Sequence, residues 1–239
     1  MPLLDHFRPP LSRERHWESF HASWAGSIAD ALNRAMPEGY FAEELTHAGA
    51  GTEIDVASFE SSSKGSAGGV ATATQAWAPP APAAIVPAVF ADDFEVRVFS
   101  ARGGPVLVAA VELISPANKD RPESRRAFAT KCAGYLHQGI AVVLVDVVTD
   151  RRACLQNDVI DLLGGAEGRI GDGVSLYSGA FRPLRRDDRE EIEVWAEPLA
   201  VGDALPTLPL WLNAELVLPL KLESTYRDAC SRRRITGHG

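Results

Sequence analysis

Three acidic residues interrupt stretches of the sequence that are otherwise apolar, and they are the first candidates for chemistry. Glu112, Asp146 and Asp55 each stand within a run of the kind that forms a buried strand. A carboxylate is costly to bury unless a cation or hydrogen-bond donors compensate its charge. Carboxylate oxygens are also the ligands that magnesium prefers. If the three side chains meet at one edge of a sheet, the chemistry that they could support is divalent-cation binding.

Each acid also has a purely structural interpretation. Glu112 could form a salt bridge with Lys131 or Arg125. Asp146 could pair with Arg151 or cap the turn that follows its strand. Asp55 could simply face solvent on a half-exposed strand. The residues alone leave the metal-binding and the salt-bridge interpretations open.

Amide and basic side chains follow Glu112 directly in the sequence. The segment Ser115 to Lys119 is predicted to connect a strand to a helix, at the edge of the sheet where open α/β folds bind ligands. Asn118 and Lys119 could contact a phosphate group there, and Arg125 adds positive charge nearby. Pro and Asn are also ordinary turn residues, so a purely structural connection is the alternative.

The elements that must position these residues alternate between strands and helices. Residues 121–138 are predicted to form a helix, because Pro122 suits its first turn and Gly139 its end. The apolar strands on either side of this helix are typical of parallel strands in a βαβ unit. These two strands are predicted over 105–114 and 140–148. The other predicted elements are a helix over 17–36 and strands over 40–47, 52–59 and 94–100.

The rest of the chain is less regular. Residues 61–84 are rich in Ser, Gly, Ala, Thr and Pro, which predicts a mobile or disordered loop. We expect residues 1–239 to form a single domain, with residues 205–239 as an added C-terminal packing arm and helix. The later elements predicted from the pattern are a short helix over 159–163, a strand over 190–197, an extended arm or edge strand over 205–220 and a helix over 222–234.

Composition limits the class of protein. The chain has 239 residues, of which 46% are hydrophobic, enough for a substantial core. No apolar run is long enough to cross a bilayer, and three widely spaced cysteines suit a reducing compartment. The first ten residues hold no apolar segment, so we expect no secretory signal. We therefore expect a cytoplasmic protein with no membrane association. The formal net charge of −8 argues against tight non-specific DNA binding by electrostatics alone, although a local basic patch is compatible with it.

One stretch of the sequence resembles a known family. The run VELISPANK (residues 111–119), followed by Arg125, Lys131 and the strand that ends at Asp146, is similar to the signature of a bacterial family catalogued as domain of unknown function 4058. The segment Trp17 to His21 and the Leu-Pro and Pro-Leu pairs after residue 204 resemble further parts of that family. The family itself looks like a distant branch of the PD-(D/E)XK restriction-endonuclease-like superfamily.

The resemblance implies an α/β fold with a mixed central sheet flanked by helices. It also implies that Asp55 and Glu112 hold Mg²⁺ and that a lysine orients or activates the attacking water. Ile114 stands where that lysine usually lies, so the resemblance leaves Lys131, on the following helix, and Lys119 as rivals. The expected activity is magnesium-dependent hydrolysis of a phosphodiester in DNA, in a protein that could form a homodimer. The alternative is a catalytically inactive relative that serves as a binding or scaffold protein.

Overall fold

A computed structural model describes residues 1–47, 93–101, 103–186 and 189–236 of the chain. Three sequence predictions lie outside these described residues: Asp55 as a metal ligand, the strand over 52–59 and the mobile or disordered loop over 61–84.

The described residues form an α/β fold in which strands and helices alternate through the middle of the chain. The elements, in chain order, are α1 (Leu11–Glu14), α2 (Trp17–Ala35), β1 (Tyr40–His47), β2 (Asp93–Ser100), β3 (Val106–Leu113), α3 (Pro116–Asp120), α4 (Pro122–His137), β4 (Ala141–Asp146), α5 (Leu155–Leu162), β5 (Tyr177–Arg186), β6 (Arg189–Pro198), β7 (Thr207–Trp211), β8 (Val217–Lys221) and α6 (Leu222–Arg232).

Six of the described strands form one mixed sheet in the order β1-β2-β3-β4-β5-β6. Among the strands that the structure describes in this sheet, β3 and β4 alone pair in parallel, and α3 and α4 connect them, so the predicted βαβ unit is confirmed. The other neighbouring pairs in this sheet are antiparallel. The expectation of a mixed sheet flanked by helices is thereby confirmed at the level of the α/β class.

Each face of the sheet carries its own hydrophobic core. On one face, alternate residues of the central strands pack with α2, α6 and the small β7–β8 sheet, as Val111 and Val143 do. On the other face, Val142 and Leu144 pack with α4 and α5. The side chains of β3 and β4 alternate between these two cores because successive residues of a strand point to opposite faces. Polar residues on the α4 side of these strands are therefore covered by a helix.

The C-terminal part of the chain packs on the α2 face. Leu208, Leu218 and Tyr226 belong to the same buried cluster as Trp24 of α2. The stretch predicted as an extended arm is a separate antiparallel hairpin, β7–β8. The predicted C-terminal helix is confirmed as α6. Within the described ranges, no helix has both the length and the apolar character needed to cross a membrane.

Candidate functional site

Two buried glutamates face each other across the β2–β3 pair. Glu95 of β2 and Glu112 of β3 are Cα partners in the antiparallel register. Both point to the α4 side, because their strand neighbours Val96 and Val111 are buried in the core on the opposite face. The side chains of Glu95 and Glu112 are only 1% and 2% exposed. Two carboxylates held so close together out of water require positively charged partners.

Helix α4 supplies one positively charged partner and one neutral hydrogen-bond donor. Lys131 and Tyr135 are four residues apart, a spacing that places both on one side of a helix. The Lys131 ammonium lies 2.9 Å from both carboxylate oxygens of Glu112 and 3.7 Å from Oε2 of Glu95. The Tyr135 hydroxyl donates a hydrogen bond of 3.0 Å to Oε1 of Glu95. Lys131 thus bridges the two acids, and Tyr135 orients one of them.

A third partner comes from β2 itself. Arg97 lies two residues after Glu95, on the same face of the strand. Its Nε and Nη2 donate to the two oxygens of Glu95 at 3.1 and 3.3 Å, and Nη2 also lies 3.5 Å from the Tyr135 hydroxyl. The Arg97 side chain is 36% exposed, so it extends from the buried carboxylate to the surface.

The charges within this group of five residues, which we call the Glu95–Glu112 cluster, are balanced. Two carboxylates face one ammonium and one guanidinium, and the phenol adds a neutral donor. Burial, reinforced by the negative charge of Glu95, raises the pKa of Tyr135 to about 12. Tyr135 therefore keeps its proton at neutral pH and acts as a hydrogen-bond donor to Glu95.

Asp146 has a different partner. Its Oδ2 accepts a bond of 2.7 Å from Lys119, and both side chains are fully buried. The ammonium of Lys119 also donates to the backbone carbonyl of Ser175 at 3.2 Å, and the other oxygen of Asp146 accepts from the Val148 amide at 3.0 Å. Burial raises the pKa of Asp146 to about 6, and the neighbouring ammonium opposes that rise. Lys119 therefore joins the connection after β3 to the end of β4.

The other residues predicted to bind substrate lie close to Lys119 in the chain. Asn118 is buried and closes a capping box at the start of α3, where it bonds the backbone amide and hydroxyl of Ser115. Arg125 is half-buried in the first turn of α4, where its charge acts on Asp158 of α5. The structure thus joins Glu112 and Lys131 directly and gives Lys119 and Asn118 internal partners. A substrate-binding role for Asn118, Lys119 and Arg125 stays a prediction.

The donor set of the cluster fits a hard divalent cation. Magnesium is commonly held by one or two carboxylates, and water and substrate oxygens complete its coordination. Glu95 and Glu112 offer two carboxylates on one rung of the sheet. In the part of the chain that the structure describes, no group of three or more His, Cys, Asp or Glu side chains is arranged to hold a metal ion. A cation at this position would therefore rely on these two acids and would compete with Lys131 for them.

Sequence reasoning did not identify Glu95, Arg97 and Tyr135 as members of this cluster. A signal for the first two was present, because FEVRV (residues 94–98) alternates apolar and charged residues with the period of a strand. No local signal connected Glu95 with Glu112, because their pairing depends on the register across the β2–β3 hairpin.

Comparison of the chain with protein-family models yields no match. Comparisons with curated proteins and with solved structures yield none either.

Proposed function

We propose that this chain belongs to the domain of unknown function 4058 family, has a restriction-endonuclease-like fold, and acts as a magnesium-dependent phosphodiesterase on DNA. The observation that supports this proposal most is the shared rung of Glu95 and Glu112, with the Lys131 ammonium within 3.7 Å of both side chains. The sequence resemblance leads us to expect Asp55 and Glu112 as the acids, with Lys131 on the following helix or Lys119 as the lysine, and Glu95 is an acid that the resemblance does not name.

The side chains of the cluster have distinct roles in this proposal. Glu95 and Glu112 offer the oxygens that hold the cation, and Asp55, outside the described residues, stays a predicted ligand. Lys131, which is 25% exposed, can turn from the carboxylates towards an approaching phosphate. Its ammonium would then stabilise the negative charge that develops on the phosphoryl oxygens. Magnesium held by Glu95 and Glu112 would supply a water of lowered pKa and further charge neutralisation.

The proposal is tested by plasmid nicking in Mg²⁺ or Mn²⁺. Wild-type protein should nick supercoiled DNA, and Glu112→Gln and Glu95→Gln should lower the rate by about 100-fold or more, as expected for loss of a group that organises the reaction centre. Arg186→Ala is a matched surface control, because Arg186 is 57% exposed and pairs with Glu191 and Glu193 of β6. Equal nicking by wild type and Glu112→Gln would reject the proposed site.

A second candidate function is a catalytically inactive binding or scaffold protein. The charge balance of the cluster favours it, because Lys131 and Arg97 already compensate both carboxylates. An inactive protein of this kind would nick no DNA and would bind Mg²⁺ no more tightly than Glu112→Gln does in calorimetry.

The homodimer also stays a sequence prediction, which sedimentation of the full chain would test.

A further inference from the structure

Arg97 is the member of the Glu95–Glu112 cluster that reaches furthest into solvent. Its side chain is 36% exposed, whereas the carboxylate that it contacts is 1% exposed. The guanidinium carries five N–H donors in a rigid fork, and the described contacts to Glu95 and Tyr135 use only Nε and Nη2. The Arg97 guanidinium therefore lies between the buried carboxylate of Glu95 and the solvent, where a ligand can reach it.

The charged and polar groups around Arg97 determine where an anion can approach it. The Tyr135 hydroxyl contacts both Glu95 and Arg97, which orients the guanidinium beside the carboxylate. On the neighbouring strand β1, the exposed residue Glu43 is the Cα partner of Arg97, so the two side chains lie on the same face of the sheet. Glu43 repels an approaching anion, whereas Arg97 and Lys131 attract it. The most favourable position for an anion therefore lies between β2 and α4, on the side away from β1.

We infer that Arg97 is a phosphate-binding residue that anchors the sugar-phosphate backbone of a nucleic acid beside the two glutamates. The inference rests on the proposed function for its substrate class, and it adds a residue that is separate from the metal ligands. Arginine suits this role because its planar fork matches two phosphate oxygens, which the point charge of a lysine cannot do. When a cation compensates Glu95 instead, the Arg97 guanidinium can turn outward without leaving a buried carboxylate uncompensated.

A purely structural Arg97 would only neutralise Glu95, and the two roles differ in what Arg97→Lys does. Lysine keeps the charge beside Glu95 but loses the fork. If Arg97 binds phosphate, Arg97→Lys should keep a thermal midpoint close to wild type and still lose DNA affinity. If its role is structural, Arg97→Lys should bind DNA as wild type does.

The experiment is a titration of a short labelled DNA duplex followed by fluorescence anisotropy, with and without Mg²⁺, over a series of salt concentrations. Wild type, Arg97→Ala, Arg97→Lys and the surface control Arg186→Ala are compared. Loss of one charge-assisted contact should weaken binding by Arg97→Ala and Arg97→Lys about tenfold or more. Arg97→Ala also removes the charge, so it should lower the slope of log affinity against log salt by about 0.9, whereas Arg97→Lys keeps the charge and should keep most of that slope. Arg186→Ala should change neither quantity by a comparable amount.

The inference is overturned if wild type does not bind the duplex, if both Arg97 variants bind it as wild type does, or if Arg186→Ala weakens binding equally. These outcomes are distinct from a failure of the proposed function, which is decided by nicking with Glu112→Gln. A protein that binds DNA through Arg97 but does not cleave it would support this inference and reject the phosphodiesterase.

Discussion

Glu95 and Glu112 share one rung of the sheet, and the Lys131 ammonium contacts the carboxylates of both. A single flexible cation thus holds together two acids that are 17 positions apart in the sequence and would otherwise repel each other. A ligand that displaces Lys131 from the two carboxylates must itself bring positive charge, because otherwise the carboxylates lose a compensating cation. The first prediction follows from this competition.

Replacing Lys131 by Met should destabilise the protein, and Mg²⁺ should offset the loss. The change leaves the two carboxylates with Arg97 as the remaining described cation, and because Lys131 is 25% exposed the cost is discounted to about 1–3 kcal/mol. A divalent cation should then bind Lys131→Met more tightly than wild type. The measurement is urea unfolding of both proteins with and without Mg²⁺. An equal effect of Mg²⁺ on the two would show that Lys131 and the cation do not compete.

Replacing Lys119 by Met should cost more and should not be offset by magnesium. Lys119 and Asp146 are both fully buried, and removing one partner of such a pair costs roughly 3–5 kcal/mol. The double variant Lys119→Met, Asp146→Leu should be more stable than Lys119→Met, because it leaves no charge in the apolar interior. Chemical denaturation of the three proteins checks this order. A double variant less stable than Lys119→Met would mean that the backbone contacts of Asp146 matter more than its charge.

Gly179→Ala should destabilise the protein because β5 and α5 are in close contact there. A Cβ at position 179 would lie 2.1 Å from Oε1 of Gln156 and 3.2 Å from the Trp195 carbonyl oxygen. The expected loss in the free energy of unfolding is about 1–3 kcal/mol. Gly134→Ala is the matched control, because it lies within α4 with no atom within 4 Å of the added Cβ, and it should stabilise by about 0.4–1 kcal/mol. A double variant that also carries Gln156→Ala should recover part of the loss at position 179.

Acidification below pH 6.5 should destabilise the protein through two buried histidines. Burial lowers the pKa of His6 to about 3 and that of His21 to about 4, from 6.5 in the unfolded chain. Between pH 6.5 and the lowered pKa values, the unfolded chain binds more protons than the folded one. The free energy of unfolding therefore decreases as the pH is lowered, by up to roughly 2.7 kcal/mol per pH unit for two protons. Asp146, whose pKa is raised to about 6, acts in the opposite direction below that pH.

The check on this pH dependence is the slope of unfolding free energy against pH, measured by denaturation from pH 7.5 to 4.5. His21→Leu should remove about one proton from that slope, whatever its effect on absolute stability. His137→Leu is the control, since His137 is exposed at the end of α4. An unchanged slope in His21→Leu would contradict a neutral, buried His21.

Much of the secondary structure could be read from hydrophobic periodicity. The helix from Trp17, the β2–β3 hairpin and the parallel β3–β4 unit were all predictable, because local patterns of burial and turn residues specify them. Strand β5 was not predicted, since Gly179 and Pro183 interrupt its pattern and it acquires strand structure by pairing with β4 and β6. The α3 helix was predicted only as a connecting segment, because it is five residues long and its stability comes from the Ser115–Asn118 capping box.

In the candidate site too, some residues could be identified from the sequence and others only from the tertiary structure. Glu112 and Lys131 were identified from the sequence, because an acid in an apolar strand and a basic residue on the adjoining helix are local signals, and the structure joins them in a salt bridge. Glu95, Arg97 and Tyr135 entered the site only through strand register and the packing of α4. Side-chain types set which charges must be compensated when the chain folds, but register and helix packing, which minimise exposed apolar surface over the whole molecule, decide which partner compensates each of them.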